Sequence, residues 1–303
     1  MQNAPFRLLD RIRQLIATPS VSSVSPQFDQ SNRAVIDLLA GWLEDAGFRV
    51  CIQPLVERPD KANLIATSGE GSGGLVLAGH TDTVPYDEGR WRHDPFGGAV
   101  ADGRIYGLGS ADMKAFLALA IEAAGEFTAR ELRRPLVILA TADEESSMAG
   151  ARALAAAGKP LGRHAVIGEP TGLKPVRMHK GILMEAIRLE GRSGHSSNPA
   201  LGASALEGMH RVIGELLRWR VELQARYRNP LFEVAVPTLN LGHIHGGDNP
   251  NRICADCELH IDIRTLPGMA LAELRGALHE RVERVLAGGE LQLSFEPLFA
   301  GVE

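Results

Sequence analysis

The sequence predicts an α/β protein of two domains, a mixed-sheet domain followed by a smaller ferredoxin-like one. Three observations predict it. Short apolar runs alternate with stretches of helical periodicity between residues 48 and 167, the order of strands and helices in an α/β sheet. Two of the runs, 75–78 and 136–140, show no alternation, as strands covered on both faces do not. The texture then changes near Gly181, and residues 182–295 read β-α-β-β-α-β, the split βαβ order. With 303 residues there is chain enough for two cores. The expected division is 1–181, 182–296 and a short tail, 297–303.

Residues 6–16 carry a short helix stopped at Thr18-Pro19, because a residue before proline is driven out of the helical region. Ser31 is placed to cap the next helix, whose stripe is Val35, Ile36, Leu38, Leu39, Trp42 and Leu43, with Gly47 closing it. Strands follow at 48–53, 63–67 and 75–78. Gly69, Gly71, Gly73 and Gly74 lead into a strand rather than a helix, so they form a hairpin or loose turn and not a phosphate cradle. Met113, Phe116, Leu117, Ala120, Ile121, Ala124 and Phe127 recur at helical spacing. A buried strand at 136–140, a small-residue helix at 149–157 and a strand at 164–167 complete the first part. The second part is expected to hold strands at 182–190, 238–244, 252–264 and 290–295, with helices at 203–223 and 270–286.

Composition narrows the partners. A net charge of −5, a pI near 6.1 and no dense basic run argue against nucleic acid or an anionic membrane. Arg7, Asp10, Arg11 and Arg13 interrupt the N-terminal apolar pattern, so no secretory segment is read there, and no apolar run is long enough to span a bilayer. A cytoplasmic location is expected. Three cysteines do not suggest a disulfide framework. Cys254 and Cys257 spell C-x-x-C, but residues three apart on a strand face opposite ways, so core or edge cysteines are expected. His243 and His245 face together on a strand; a structural pair in a glycine-rich turn is the expected reading.

The chemistry gathers at strand ends. His80 and Asp82 follow the run 75–78, Asp112 precedes a helix, Glu144 and Glu145 follow the run 136–140, and Glu169 follows the run 164–167. Ligand sites of α/β sheets lie at the C-terminal edges of the strands. Adjacent acids such as Glu144 and Glu145, near other acids, repel unless a cation neutralises them or one stays protonated. A two-metal site meets both conditions and leaves one acid as a general base. One histidine among several carboxylates suits zinc or a similar divalent ion without choosing among zinc, cobalt and manganese. Asn251, Arg252 and Arg264 offer groups for a substrate carboxylate, or are turn and surface residues.

The ordered blocks GHTDTVP, a tryptophan before DPF, DGRIYGLGSADMK, ADEES and IGEPT resemble the M20 family of dinuclear-zinc amidohydrolases and peptidases. GHSSNPA and GHIHGGDNPNRI extend the resemblance over nearly the whole chain. It implies a zinc-peptidase-like catalytic domain over 1–181, an inserted lid and dimerisation domain over 182–296, and a return to the catalytic domain from 297. It implies two Zn2+, with Co2+ as a substitute, a small N-acyl amino acid as substrate, and a homodimer formed through the inserted domain. By the same resemblance His80 and Glu169 bind one zinc, Asp112 bridges both and Glu145 binds the second. Asp82 orients His80, Glu144 is the general base, and the bond after Asp112 is cis. His195 of a partner subunit completes the oxyanion site; otherwise it is a loop histidine beside Ser196 and Ser197.

Family members return from the insertion to the first domain and carry a last zinc-binding histidine there, whereas the final histidine here is His279, inside an expected helix. The expectation is a C-terminally truncated chain with an unpaired sheet edge in the first domain and a second metal position short of one ligand. An inactive chain that only binds or dimerises is the alternative to an active amide hydrolase. Within the family, desuccinylation, deacetylation of another amino acid or dipeptide cleavage are the neighbouring activities.

Overall fold

Residues 4–23 and 25–302 are described by a computed structural model, in which the chain forms two units, Met1–Lys174 and Pro175–Glu303. The first unit contains helices α1 (Ala4–Ile16) and α2 (Arg33–Asp45) and strands β1 (Arg49–Pro54), β2 (Ala62–Ser68) and β3 (Leu75–His80). A short hairpin follows, β4 (Ala99–Ala101) and β5 (Arg104–Tyr106). Then come α3 (Lys114–Ala124), β6 (Leu136–Thr141), α4 (Ala149–Ala156) and β7 (His164–Ile167). The β4–β5 pair is absent from the sequence reading because three-residue strands are too short to carry a period.

The five-stranded sheet has the order β1-β2-β6-β3-β7. β2 is antiparallel to its neighbours β1 and β6, whereas β6, β3 and β7 run parallel. The glycine-rich segment before β3 is therefore no hairpin: it links strands that are not neighbours. Helices α1, α2 and α3 pack Leu15, Ile16, Ile36, Leu39, Leu117 and Ile121 with Leu64 and Ile138 of the sheet into one apolar cluster. Asn32, not Ser31, sits at the N-cap of α2 and makes no side-chain cap bond. Its amide instead joins the helix to the sheet, donating to the carbonyl of Ala62 (2.8 Å) and accepting from the Ala62 N–H (2.9 Å). β7 is an outer strand, with Val166 49% and Ile167 63% exposed.

The second unit contains β8 (Gly181–Glu190), α5 (Ala205–Arg226), β9 (Thr238–Gly246), β10 (Asp256–Thr265), α6 (Leu271–Leu286) and β11 (Gln292–Val302). Its antiparallel sheet has the order β11-β8-β10-β9. β10 alternates buried and part-exposed residues. Its inner face, Leu259, Ile261 and Ile263, packs with Met209, Leu216 and Trp219 of α5 and with Leu278 and Val282 of α6. Ser204 caps α5 by accepting the Glu207 N–H (3.2 Å), the arrangement that a serine three residues before an acid favours. Glu185 is fully buried on β8 and is met by Arg275 Nε (2.9 Å) and His279 Nε2 (2.5 Å) from α6.

Two expected boundaries move. The second unit begins at Pro175 rather than 182, and Lys180 Nζ is tied to it through the Val236 carbonyl (2.6 Å). Residues 297–302, expected to lead away, continue β11 to Val302 opposite Ile182. Register shifts after Pro297 accommodate a residue that cannot donate to the ladder, and proline is tolerated because β11 is an outer strand. Among the described residues no helix is long and apolar enough to cross a membrane.

Leu278 is fully buried between α6 and the sheet. Leu278→Ala is expected to lower stability by about 2–5 kcal/mol, the cost of lost apolar contact plus a cavity, read from the shift of the urea midpoint at unchanged slope.

Candidate metal centre

The topology explains why distant acids meet. Parallel neighbours end on the same side, so the C-terminal ends of β6, β3 and β7 lie in a row. β3 ends at His80, opposite Thr141 of β6, and the Gly168 N–H donates to the Ala78 carbonyl (3.1 Å), which sets Glu169 beside the β3 end. Gly168 is required there, since a Cβ on it would lie 2.0 Å from the Phe116 ring of α3. Asp112 comes from the glycine-rich segment before α3, and its peptide bond to Met113 is cis.

His80 is the hub. Its Nε2 lies 3.0 Å from Asp112 Oδ1, 3.8 Å from Glu169 Oε1 and 3.9 Å from Glu144 Oε2. Its Nδ1 is 3.0 Å from the Asp82 carbonyl oxygen; donation there leaves Nε2 as the lone-pair nitrogen facing the acids. Where the Asp82 carboxylate is expected to orient His80, the backbone carbonyl of Asp82 makes that contact. Its Oδ2 accepts the Glu145 N–H (3.0 Å), while Oδ1, 3.7 Å from His80 Nδ1, is buried without a hydrogen-bond partner. Two sets of possible ligands gather, His80 with Asp112 and Glu169, and His80 with Glu144 and Glu145. The first is the set expected for one zinc. The second brings Glu144 in beside Glu145, where the expectation was Asp112.

The electrostatics fit a cation. Burial pushes the Glu145 carboxyl up to about 7, and the Asp112 and Glu144 charges add to it against His80. Burial likewise raises Glu144 and Glu169, with Asp82 and Asp112 reinforcing and His80 opposing. Burial raises Asp82 as well, opposed by His80. Burial disfavours the His80 imidazolium, yet the charges of Asp82, Glu144, Glu169 and Glu145 outweigh it and raise its pKa. Oxygen-rich ligands with one imidazole, each acid disfavoured as an anion by its neighbours, are what a divalent cation stabilises.

Residues that the sequence reading passed over complete the surroundings. Lys114 is fully buried, donates to the Thr18 carbonyl (2.9 Å), and is lowered to about 8 by burial, with Asp82 opposing. Thr83, whose buried Oγ1 has no partner, lines a cavity of about 310 Å³ with Val84, Trp91, Leu108, Asp112 and Glu145. Lys61 and Asn63 reach the turn after β6 from β2 and its approach. Only the tryptophan before DPF carried a sequence signal; a threonine in a motif and a lysine before a strand carry none that marks burial.

In the second unit the structure brings together His195, Asn251 and Arg252. His195 bridges to Arg252, and the Ser196 N–H donates to the Asn251 carbonyl (3.0 Å). His195 Nδ1 accepts the Ser197 N–H (3.2 Å), so a neutral ring carries its proton on an exposed Nε2. Arg252 donates to Asp248. Arg264 stands apart: Asp256–Arg264 is about 27 Å of extended strand, and its Nε donates to both Asp262 oxygens at 2.9 and 3.1 Å. Within one chain it does not share a carboxylate with Asn251 and Arg252. Cys254 lies outside β10 and Cys257 on its buried face; both are free thiols.

An acid-and-histidine centre at the ends of three parallel strands, on this fold, defines a metal-dependent hydrolase. The chain belongs to peptidase family M20/M25/M40, which matches residues 76–303. It is 55% identical over 286 residues to the acetylornithine deacetylase of Edwardsiella ictaluri, covering 94% of this chain and 75% of that protein. It is 52% identical over 303 residues to the acetylornithine deacetylase of Yersinia pseudotuberculosis, covering 98% and 77%. Among solved structures, an M20 family metallo-carboxypeptidase from Sulfolobus solfataricus superposes with a TM-score of 0.74 at 16% identity, over 97% of this chain and 78% of that one. A dinuclear metal binding M20 peptidase from Bacillus subtilis gives 0.64 at 19%, over 99% and 76%.

A carboxyl whose pKa is higher in the folded chain costs stability once the pH exceeds its ordinary value. For Glu145 that cost grows from 4.5 and is complete above about 7. The His80 contribution, raised from 6.5, is present at lower pH and is lost as the pH climbs through its folded value. Both act in one direction. Chelator-stripped protein is therefore expected to melt at lower temperature as the pH is raised from about 5 to about 8, and a saturating divalent cation to raise the melting temperature most at the upper end. Scanning calorimetry at both ends checks this; a flat or opposite trend refutes it.

Proposed function

We propose that the chain is a zinc-dependent deacetylase that hydrolyses N2-acetyl-L-ornithine to L-ornithine and acetate, a reaction of arginine biosynthesis in the cytoplasm. The observation that carries the reading is the 52–55% identity to acetylornithine deacetylases over 94–98% of the chain. The chain spans 75–77% of those proteins' length.

In this reading His80, Asp112 and Glu169 hold one Zn2+, and Asp112 with Glu145 holds a second; Co2+ is the natural substitute because it accepts the same nitrogen and oxygen donors. When bound, the pair would supply Lewis acidity, polarising the amide carbonyl and acidifying water. The chain's own residues do the proton work. Glu144, part-buried and raised by that burial, takes a proton as water adds to the acetyl carbon, and returns it to the ornithine nitrogen as the C–N bond breaks. Asp82 holds the position of Glu145 through its N–H, and through its carbonyl the ring of His80. Residues 182–296 serve as lid and dimerisation domain. There the exposed Nε2–H of His195 from a second copy donates to the developing oxyanion, and Asn251 and Arg252 bind the α-carboxylate of the substrate.

Purified protein is expected to release acetate from N2-acetyl-L-ornithine in the presence of Zn2+ or Co2+, and to stop when a chelator removes the metal. Faster turnover of N-succinyl-diaminopimelate, N-acetylcitrulline or dipeptides would assign it to another activity of the family. Glu144→Gln keeps the shape and loses the base: kcat is expected to fall about 10²–10⁴-fold with KM and bound metal little changed. Steady-state kinetics with elemental analysis of the same preparation reads both.

A further inference from the structure

We propose that Lys61 is a positioning residue of the metal centre, fixing through Asp143 the turn that carries Glu144 and Glu145. The inference rests on the roles proposed for those two acids, and not on the identity of the substrate.

Lys61 is 1% exposed, and its Nζ donates to Asp143 Oδ1 (2.5 Å) and to Asp29 Oδ1 (2.7 Å). The sheet dictates this meeting. β2 and β6 are antiparallel with Leu64 opposite Ala140, so extending the register back from β2 and on from β6 places Lys61 opposite Asp143. The start of one strand is thereby set beneath the turn that leaves the other.

That turn is held from several sides. Asp143 has φ +57° and Met148 φ +53°, left-handed conformations that aspartate adopts more readily than most residues. The Met148 N–H donates to the Asp143 carbonyl (2.5 Å) and the Gly150 N–H to the Ala142 carbonyl (3.1 Å). Ser22 Oγ donates to Asp143 Oδ1 (2.8 Å) and lies 2.5 Å from Ser146 Oγ. Asp29 is itself held by the Ser23 N–H (3.0 Å) and Arg58 Nη1 (2.7 Å), so the lysine is braced on a fixed carboxylate. With the Asp143 side chain pulled inward, the next two residues emerge toward His80, and the Glu145 N–H is caught by Asp82.

A buried ion pair contributes little net stability over an apolar pair of the same shape, because both charges are desolvated. What it does supply is direction, since a short charge-assisted contact allows few arrangements of the turn. Lys61 Nζ meets the carboxylates of Asp143 and Asp29, so it acts on Glu144 and Glu145 by placing the turn that carries them.

The test compares wild type, Lys61→Met, the double variant Lys61→Met/Asp143→Asn and Ser22→Ala in the full chain. Zn2+ affinity is read by competition with a chromophoric chelator, with melting temperature and steady-state kinetics alongside. Lys61→Met leaves Asp143 a buried anion with Ser22 but no cation beside it and is expected to lose stability; the double variant removes that charge, keeps an amide able to meet Ser22, and is expected to melt near wild type. Positioning predicts that the double variant still binds Zn2+ about 10-fold or more weakly, the usual effect of losing a group that orients a ligand, and loses kcat with KM little changed. Ser22→Ala is expected to weaken Zn2+ less, at a smaller loss of melting temperature than Lys61→Met. If the double variant regains both melting temperature and Zn2+ affinity, Lys61 is only a structural charge and the proposal fails. Should the lysine variants not fold, Ser22→Ala decides: unchanged Zn2+ affinity overturns the proposal. A wild-type chain without deacetylase activity refutes the proposed substrate, while the affinity comparison still decides the role of Lys61.

Discussion

Mutual repulsion among carboxylates gathered on one imidazole is the constraint on which the first unit depends. Asp112, Glu144 and Glu169 each place an oxygen within 3.9 Å of His80 Nε2, and Glu145 joins the same group. Left to themselves such acids separate or take up protons, and burial drives Glu145 up to about 7. The sheet prevents separation, because His80, Glu144, Glu145 and Glu169 follow adjacent parallel strands at their common edge. A centre of this kind is stable with a divalent cation and strained by charge without one.

The scaffold around the centre is accordingly polar where a fold of this size would ordinarily be apolar. Lys61 and Lys114 are among the largest fully buried side chains of the chain. Asn63 spans the turn after β6, accepting the Ala142 N–H (3.1 Å) and donating to the Gly150 carbonyl (2.9 Å). Asn32 joins the Ala62 peptide to the Thr81 hydroxyl (2.7 Å). The two asparagines satisfy backbone groups that would otherwise be left open. Gly109, at φ +82°, adds a steric counterpart: a Cβ there would lie 2.6 Å from Lys114 Cε, so the segment before Asp112 can pass over the lysine only as glycine.

The second unit solves a simpler problem. Its sheet has one face covered by α5 and α6 and one polar face, and alternation along β10 records that division residue by residue. Its internal acid, Glu185, is matched by Arg275 and His279, so the histidine that ends the sequence's histidine series is engaged in this core. The turn segments at one end of the sheet carry His195, Asn251 and Arg252, whereas Arg264 belongs to the opposite end of β10.

The sequence by itself determined the alternation of strands and helices, the split βαβ order and the acids and histidine that terminate strands. These follow from local rules: burial on both faces removes alternation at 136–140, helical spacing marks 113–127, and polar residues stop apolar runs at 80 and 144. What the tertiary structure decided were relations without a local signature. That β6 stands between β2 and β3 depends on pairing between distant segments, and it alone explains why Lys61 faces Asp143. That His80 leans on the carbonyl of Asp82 rather than its carboxylate depends on how the chain turns after β3. That Arg264 parts from Asn251 depends on the length of a strand whose start, at Asp256, lies beyond the expected 252. Periodicity reports which face a side chain takes, whereas register and crossover, set by long-range packing, decide which side chains meet.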